Sequence, residues 1–421
     1  MDYLLEFVDK EYWISTKESI KDQIERKFYP NETSPTLLWQ DSKILYKDDL
    51  LSWYLFLIDA YLTHPQDYDF AQGSRVIPVF KTLGKNIDLL KTIIGIDQKI
   101  NQLVIQNKKD PDGLIFEILI ALLYKRNGWT EVELLPENSN SKSPDIHACN
   151  LGSEFYIECK RMSKSSDYSI QEHEKWLSLW WSLSNYLKLD RRPMLFDFIF
   201  HKELNEIDEE YLTKEIVPKL QFVYRPGIIV DNETVTVDLQ FLDIESINEK
   251  IGENDIKYNS SSFHKIVTDD YRPEKGISFI MEAKKSTYHP SYVSKVSFIA
   301  GARWECDSNE AIRKKARHIK RHLAEAVEQL PDSKPSIVHI GIEEIDGFFV
   351  ESKRYEHILK SLSLFSTDAK DVRWIFCHLF DPTAPPDKNW DFGEKVHYFS
   401  NNQTKEPLDK MLAVVDEEEI I

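Results

Sequence analysis

Residues 143–161 read SPDIHACNLGSEFYIECKR. The stretch has the form of a β-hairpin: two runs of strand-forming residues, IHAC and EFYIECKR, joined by the turn Asn150-Leu151-Gly152-Ser153. A hairpin built only to fill a core would not carry Asp145, Glu158 and Lys160. Alternate residues of a strand share a face, so Phe155, Ile157 and Cys159 point one way and Tyr156, Glu158 and Lys160 the other. The short turn lets Asp145, at the start of the first strand, approach Glu158 and Lys160. Two carboxylates that converge repel unless a cation lies between them, and hard oxygen ligands suit Mg²⁺ or Mn²⁺. A lysine beside such a cation can position water or stabilise charge developing on a phosphate.

The flanking sequence supplies a matching order of elements. PDGLIFEILIALLYKRNGW (111–129) opens with Pro-Asp and stops at Asn127-Gly128, as a helix does. EVELLP (131–136) is strand-like, the hairpin follows, SIQEHEKWLSLWWSLSNYLKL (169–189) reads as a second helix, and MLFDFIFH (194–201) reads as a fourth strand. Glu117 lies in the first helix among apolar neighbours, where an unpaired charge costs several kcal/mol, so it is expected to face a metal pocket or a lysine.

This pattern resembles the PD-(D/E)XK nuclease superfamily, the restriction-endonuclease-like fold. The motif stands here as Pro144-Asp145, then Glu158-Cys159-Lys160, and the likeness spans roughly residues 110–202. The resemblance implies an α/β core of helix, three strands, helix, strand. It also implies metal binding by Asp145 and Glu158 with Glu117 assisting, a water-positioning or charge-stabilising Lys160, and Mg²⁺- or Mn²⁺-dependent cleavage of nucleic acid, DNA first. Members of the fold also place auxiliary catalytic residues in the helix after the motif, where Gln171, Glu172 and Lys175 stand. Defence against foreign DNA is a common use of this fold.

Around that core the sequence predicts an N-terminal helical domain (1–107), a mixed β-rich region (203–305), an αβαβ region (306–382) and a tail (383–421). Candidate phosphate contacts are Arg161 and Lys164 just after the motif, Lys175, and the basic helix face of Arg313, Lys314, Arg317, Lys320 and Arg321. Such faces are commonly only solvated.

Composition sets bounds. The chain has 421 residues, 42% of them hydrophobic, with 22 Phe, 19 Tyr and 10 Trp, enough for sizeable cores. The four cysteines are scattered without a C-x-x-C pair, against a zinc ribbon or disulfide framework and in keeping with a reducing cytoplasm. MDYLLEFVDKEYW does not read as a signal peptide. The apolar runs at 50–62 and 114–124 are short and carry Asp59 and Glu117, so no membrane span is expected. A formal charge of −18 opposes tight non-specific binding of nucleic acid, although a local basic groove can coexist with it.

Other readings stay open. FIMEAKK contains a second E-x-K, Glu282 and Lys284, downstream of Asp269 and Asp270, and reads more simply as a surface ion pair. His147, two residues from Asp145, is either a hairpin histidine or a neighbour of the metal. Cys149 and Cys159 read as small buried residues. An inactive scaffold binding nucleic acid or protein, an RNase, and a nuclease subunit acting with a protein partner or as a homo-oligomer are the rival functions. No Walker or G-x-G-x-x-G pattern supports a nucleotide fold.

Overall fold

The computed structural model describes residues 1–28, 48–136, 143–162, 167–258, 260–289, 291–316, 319–343, 348–363, 370–400 and 406–416. The protein is mixed α/β, with two mixed sheets and fourteen α-helices among the described residues.

Six helices open the chain: α1 (Asp2–Leu5), α2 (Lys10–Phe28), α3 (Leu50–Thr63), α4 (Phe70–Lys85), α5 (Ile87–Leu90) and α6 (Ile96–Ile105). Asp49 caps α3 by accepting a hydrogen bond from the Ser52 amide at 3.0 Å, satisfying one of the donors a helix start leaves unpaired. The predicted helical character of this region holds, but its core is shared. Trp53, Phe56 and Leu57 pack in one cluster with α7 (Asp112–Arg126) and with β1 (Glu131–Leu134), β2 (Ile146–Asn150) and β3 (Ser153–Met162). Helix α7 carries Asp112 in its first turn and Lys125 and Arg126 in its last, complementing the helix dipole. It ends where Gly128 takes a positive φ of 88°.

β1, β2 and β3 form an antiparallel meander. At the β2–β3 turn both Leu151 and Gly152 have positive φ, 46° and 86°, the mirror-type turn whose twist suits a tight hairpin.

After β3 the chain leaves this sheet. α8 (Asp167–Asp190), β4 (Met194–Phe200), α9 (Tyr211–Leu220), β5 (Gly227–Asp231), β6 (Val235–Phe241), α10 (Ile244–Gly252), α11 (Ser261–Thr268), β7 (Gly276–Lys285) and β8 (Val293–Cys306) build a second, five-stranded sheet of order β5-β6-β4-β8-β7. The strand expected to complete the first sheet, 194–200, is therefore the centre of another one. It runs parallel to β8 and antiparallel to β6. Helix α8, the second helix of the expected core order, packs Trp176, Leu179, Trp180 and Leu183 onto Phe196, Phe198 and Phe200 of the second sheet. Trp176 and Trp180 are buried there, while Trp181 is exposed.

The chain then returns. α12 (Asn309–Ala316), α13 (Ile319–Gln329), β9 (Ser336–Glu343), α14 (Phe348–Ser363), β10 (Val372–Thr383) and β11 (Asp391–Ser400) follow, and β9–β11 extend the first sheet to β1-β2-β3-β9-β10-β11. β9 lies parallel to both β3 and β10. Every residue of β9 is buried, as a strand flanked by parallel neighbours and covered on both faces requires. Helix α13 covers β3 and β9 on the side opposite α7.

Two expected boundaries change accordingly. Residues 306–382 are not a separate αβαβ region, because β9 and β10 belong to the hairpin's sheet. Nor is 383–421 a tail: β11 pairs with β10, and Leu408, Val414 and Val415 are buried in the first core. Among the described residues no helix is long and apolar enough to cross a membrane.

Candidate active site

The hairpin brings Asp145, Glu158 and Lys160 together. Glu158 is fully buried, and its Oε1 lies 2.8 Å from the Lys160 ammonium. Asp145 Oδ2 accepts a hydrogen bond from the Cys159 amide at 2.8 Å, so the backbone of β3 orients the carboxylate of the preceding strand. The two carboxyls are close enough that the charge of Glu158 raises the proton affinity of Asp145.

Electrostatically the pair is under-compensated. Burial pushes the Asp145 carboxyl up to about 7, and the neighbouring Glu158 adds to that rise against the pull of the Cys159 amide, Lys99 and Lys160. Burial likewise raises Glu158 to about 7, with Glu117 adding to the rise and Lys160 opposing it. For Lys160, burial disfavours the ammonium, but Glu158 outweighs it and lifts the lysine above its ordinary range. Buried carboxyls so displaced mark positions where positive charge is wanted.

Glu117 sits one layer behind. Its carboxylate receives a 2.6 Å hydrogen bond from Lys99 of α6, and both residues are buried. Facing a lysine was one of the two expectations for it. Among the described residues, the group of three potential ligand atoms lying within 4.8 Å of one another is His147, Cys149 and Glu154. The oxygens of Asp145, Glu158 and Glu117 do not meet that spacing as a set. The fit to a hard divalent ion thus rests on the Asp145–Glu158 pair, with Glu117 engaged by Lys99.

Sequence reading missed Gln329, at the last turn of α13. With its amide oriented to satisfy both neighbours, the nitrogen donates to Glu158 Oε1 at 2.7 Å and the oxygen accepts from Lys160 Nζ at 2.8 Å. This helix, not the one directly after the motif, covers the hairpin. Gln171 is exposed, and Glu172 is bound to Lys315 at 2.6 Å. No signal in the local sequence could have identified Gln329, because its approach depends on where the chain returns.

The expected phosphate contacts are not gathered. Arg161 lies 3.6 Å from Glu343, which also binds Arg75, and its guanidinium stacks 4.5 Å from the Phe380 ring centroid. Lys175 is 3.9 Å from Glu209, and Lys314 is held by both oxygens of Glu203 at 2.7 and 2.8 Å. Arg313 and Arg321 are exposed and pair with Glu310 and Glu325 of their own helices. Lys164, Arg317 and the Lys320 side chain lie outside the described residues.

The second E-x-K does not form the surface pair expected of it, because Glu282 takes Arg191 rather than Lys284 as its partner. Glu282 is bound through both oxygens by Arg191, one at 2.8 Å, while Asp269 and Asp270 pair with Lys250 and Arg272. His147 bonds Glu154 rather than Asp145.

Comparison with protein-family models, with curated proteins and with solved structures gives no match for this chain.

Proposed function

We propose that the protein is a metal-dependent phosphodiesterase of the PD-(D/E)XK type that acts on nucleic acid as a DNA endonuclease. The observation that carries this reading is the meeting of Asp145, Glu158 and Lys160 at one end of a hairpin, one fully buried and one half-buried carboxyl with raised proton affinity beside one ammonium. The element order supports it too. α7, β1, β2, β3, α13 and β9 run helix, three strands, helix, strand, with the elements from α8 to α12 (167–316) inserted after the third strand.

Asp145 and Glu158 would hold Mg²⁺ or Mn²⁺, which when bound polarises a phosphate oxygen and acidifies water. The remaining roles belong to the chain itself. The Cys159 amide fixes the Asp145 carboxylate, so the pair is preorganised. Lys160, steadied by Glu158 and Gln329, presents the ammonium that stabilises charge on the phosphate undergoing attack. Glu117 adds negative potential behind Glu158, and Lys99 limits it.

Cleavage of plasmid and of labelled DNA and RNA oligonucleotides with Mg²⁺ or Mn²⁺ tests this reading, with Asp145→Asn and Lys160→Ala as comparisons. Activity on DNA that falls at least about a hundredfold in both variants supports it. Equal activity in all three proteins refutes the site.

A second reading is favoured by the spent basic residues. Arg161, Lys175 and Lys314 are each committed to a carboxylate, and the chain carries −18. A nuclease subunit whose partner grips the nucleic acid, or an inactive scaffold, fits that pattern. Calorimetry separates these two, since only the subunit binds Mg²⁺ through Asp145 and Glu158.

A further inference from the structure

The opposite end of the same hairpin carries a different set of donors. In the β1–β2–β3 meander, Cys149 stands opposite Glu131 on one side and Glu154 on the other, while His147 stands opposite Glu133 and Tyr156. Strand pairing therefore puts an imidazole, a thiol and three carboxylates on one face. Their burial ranges from intermediate to exposed, so solvent reaches them. Single ligand atoms of His147, Cys149 and Glu154 all lie within 4.8 Å of one another. His147 Nε2 is 2.9 Å from Glu154 Oε1, and Cys149 Sγ is 3.5 Å from the same nitrogen.

We propose that His147, Cys149 and Glu154 form a transition-metal site for Zn²⁺ or a similar borderline ion, separate from the Asp145–Glu158 pair. Nitrogen, thiolate and carboxylate donors are those of tetrahedral zinc, whereas Mg²⁺ prefers oxygen alone. Glu131, across the ladder from Cys149, is placed to supply the fourth ligand, and water is the alternative. Neighbours already orient the set. The Tyr156 hydroxyl donates to Glu154 Oε1 at 3.3 Å, and its ring lies against His147 with centroids 4.8 Å apart.

The geometry also separates this reading from its nearest competitor, a Cys-His-Glu nucleophilic triad. A triad uses both ring nitrogens, one for the thiol and one for the acid. Here thiol and carboxylate both address Nε2, the arrangement expected around a common ion. Binding releases the thiol proton and ties β2 to β3, and β1 as well where Glu131 is the fourth ligand, at the solvent end of the hairpin whose other end holds the candidate active site.

The test uses the full-length, metal-free chain, reduced with a phosphine, titrated with Co²⁺ and followed by absorbance. The expected result is one equivalent bound with a thiolate-to-cobalt charge-transfer band and intense tetrahedral d–d bands, both displaced by Zn²⁺. Cys149→Ser abolishes the charge-transfer band, and His147→Ala or Glu154→Gln weakens binding about tenfold or more. Cys306→Ser and the double variant Asp145→Asn/Glu158→Gln keep the band, which distinguishes this site from the proposed nuclease pair. Melting temperatures without metal verify that each variant is folded. A folded wild type without the band, or a band that survives Cys149→Ser, overturns the proposal.

Discussion

The Lys99 ammonium lies 2.6 Å from the Glu117 carboxylate, with both side chains almost sealed from solvent between α6 and α7. This ion pair explains how α7 carries a charge among eleven consecutive buried residues, Leu114 to Tyr124. Removing one partner of a buried pair leaves the other charge uncompensated, which costs far more than the pair contributes. Lys99→Met is therefore expected to lower stability by about 3–5 kcal/mol, and adding Glu117→Leu to recover most of that loss. Urea denaturation of the wild type and the two variants measures both. A loss below about 1 kcal/mol in Lys99→Met would show that Glu117 does not depend on Lys99. Mg²⁺ should also raise the melting temperature of Lys99→Met more than that of the wild type, because the ion replaces a counter-charge.

The Asp145–Glu158 pair makes stability depend on pH with a definite sign. Both carboxyls rise from ordinary values of 3.8 and 4.5 to about 7, chiefly through burial. Between those limits the folded state holds more protons than the unfolded chain, so this contribution is complete below about pH 4 and is lost as pH climbs through 7. Asp145→Asn cannot ionise and escapes that loss. Its stability relative to wild type should grow between pH 5 and pH 8 by on the order of 2 kcal/mol. Urea midpoints at four pH values provide the measurement, and a difference that stays flat with pH would contradict the account. Saturating Mg²⁺ should shrink the difference at pH 8, since an ion held by both carboxylates displaces their protons.

The local chemistry was legible in the sequence and the long-range assembly was not. Alternation along β3 placed Glu158 and Lys160 on one face and Cys159 on the other, and a short turn brought Asp145 within reach. Each is a consequence of strand geometry over fewer than twenty residues. The choice of fourth strand failed because β4 and β9 are both short apolar runs, and apolar character does not say which sheet a strand joins. What separates them is their company. β4 has Phe196, Phe198 and Phe200 matched to the tryptophans of α8, while β9 is buried throughout and is followed by a helix and a further parallel strand. The insertion of 167–316 carried the second helix away from the motif, and with it the auxiliary position. The basic residues failed for another reason: a charge count along a helix does not reveal that Glu203 waits for Lys314 across the fold.

Gln329 should reveal itself through pH dependence. Its amide spans Glu158 and Lys160, so it holds the lysine in place through a hydrogen bond to each. Provided the Mg²⁺-dependent cleavage proposed above is observed, Gln329→Leu is expected to reduce kcat about tenfold with little change in Mg²⁺ affinity. Gln329→Glu places another carboxylate beside Glu158, raising its proton affinity further and moving the acidic limb of the pH–rate profile upward. Restoration of normal rates at higher pH in the Glu variant, but not in the Leu variant, identifies an electrostatic positioning role. Identical profiles in both would reduce Gln329 to a packing residue.

The C-terminal segment is the strongest departure from the tail expected at 383–421, and it is bound by buried polar contacts. Both Glu394 oxygens accept from the Val414 amide, at 3.0 and 2.9 Å, and Oε2 also accepts from Val415 at 2.9 Å. Behind Glu394 runs an interior chain: His378 Nδ1 at 2.8 Å, then His339 at 2.9 Å from His378, then the Tyr124 hydroxyl at 3.2 Å from His339. Trp129 donates to the Pro407 carbonyl at 2.9 Å, and Arg126 binds Asp416. Deleting residues 406–421 strips two amides from a buried carboxylate and uncovers the part of the first core that Leu408, Val414 and Val415 fill, so a loss of several kcal/mol follows. Glu394→Gln keeps the shape but puts an amide donor where the Val414 and Val415 N–H groups need acceptors, and should cost about 1–3 kcal/mol. Thermal unfolding combined with limited proteolysis checks both variants. An unchanged melting temperature on truncation would show that the segment lies on the core without contributing to it, which the buried partners of Glu394 argue against.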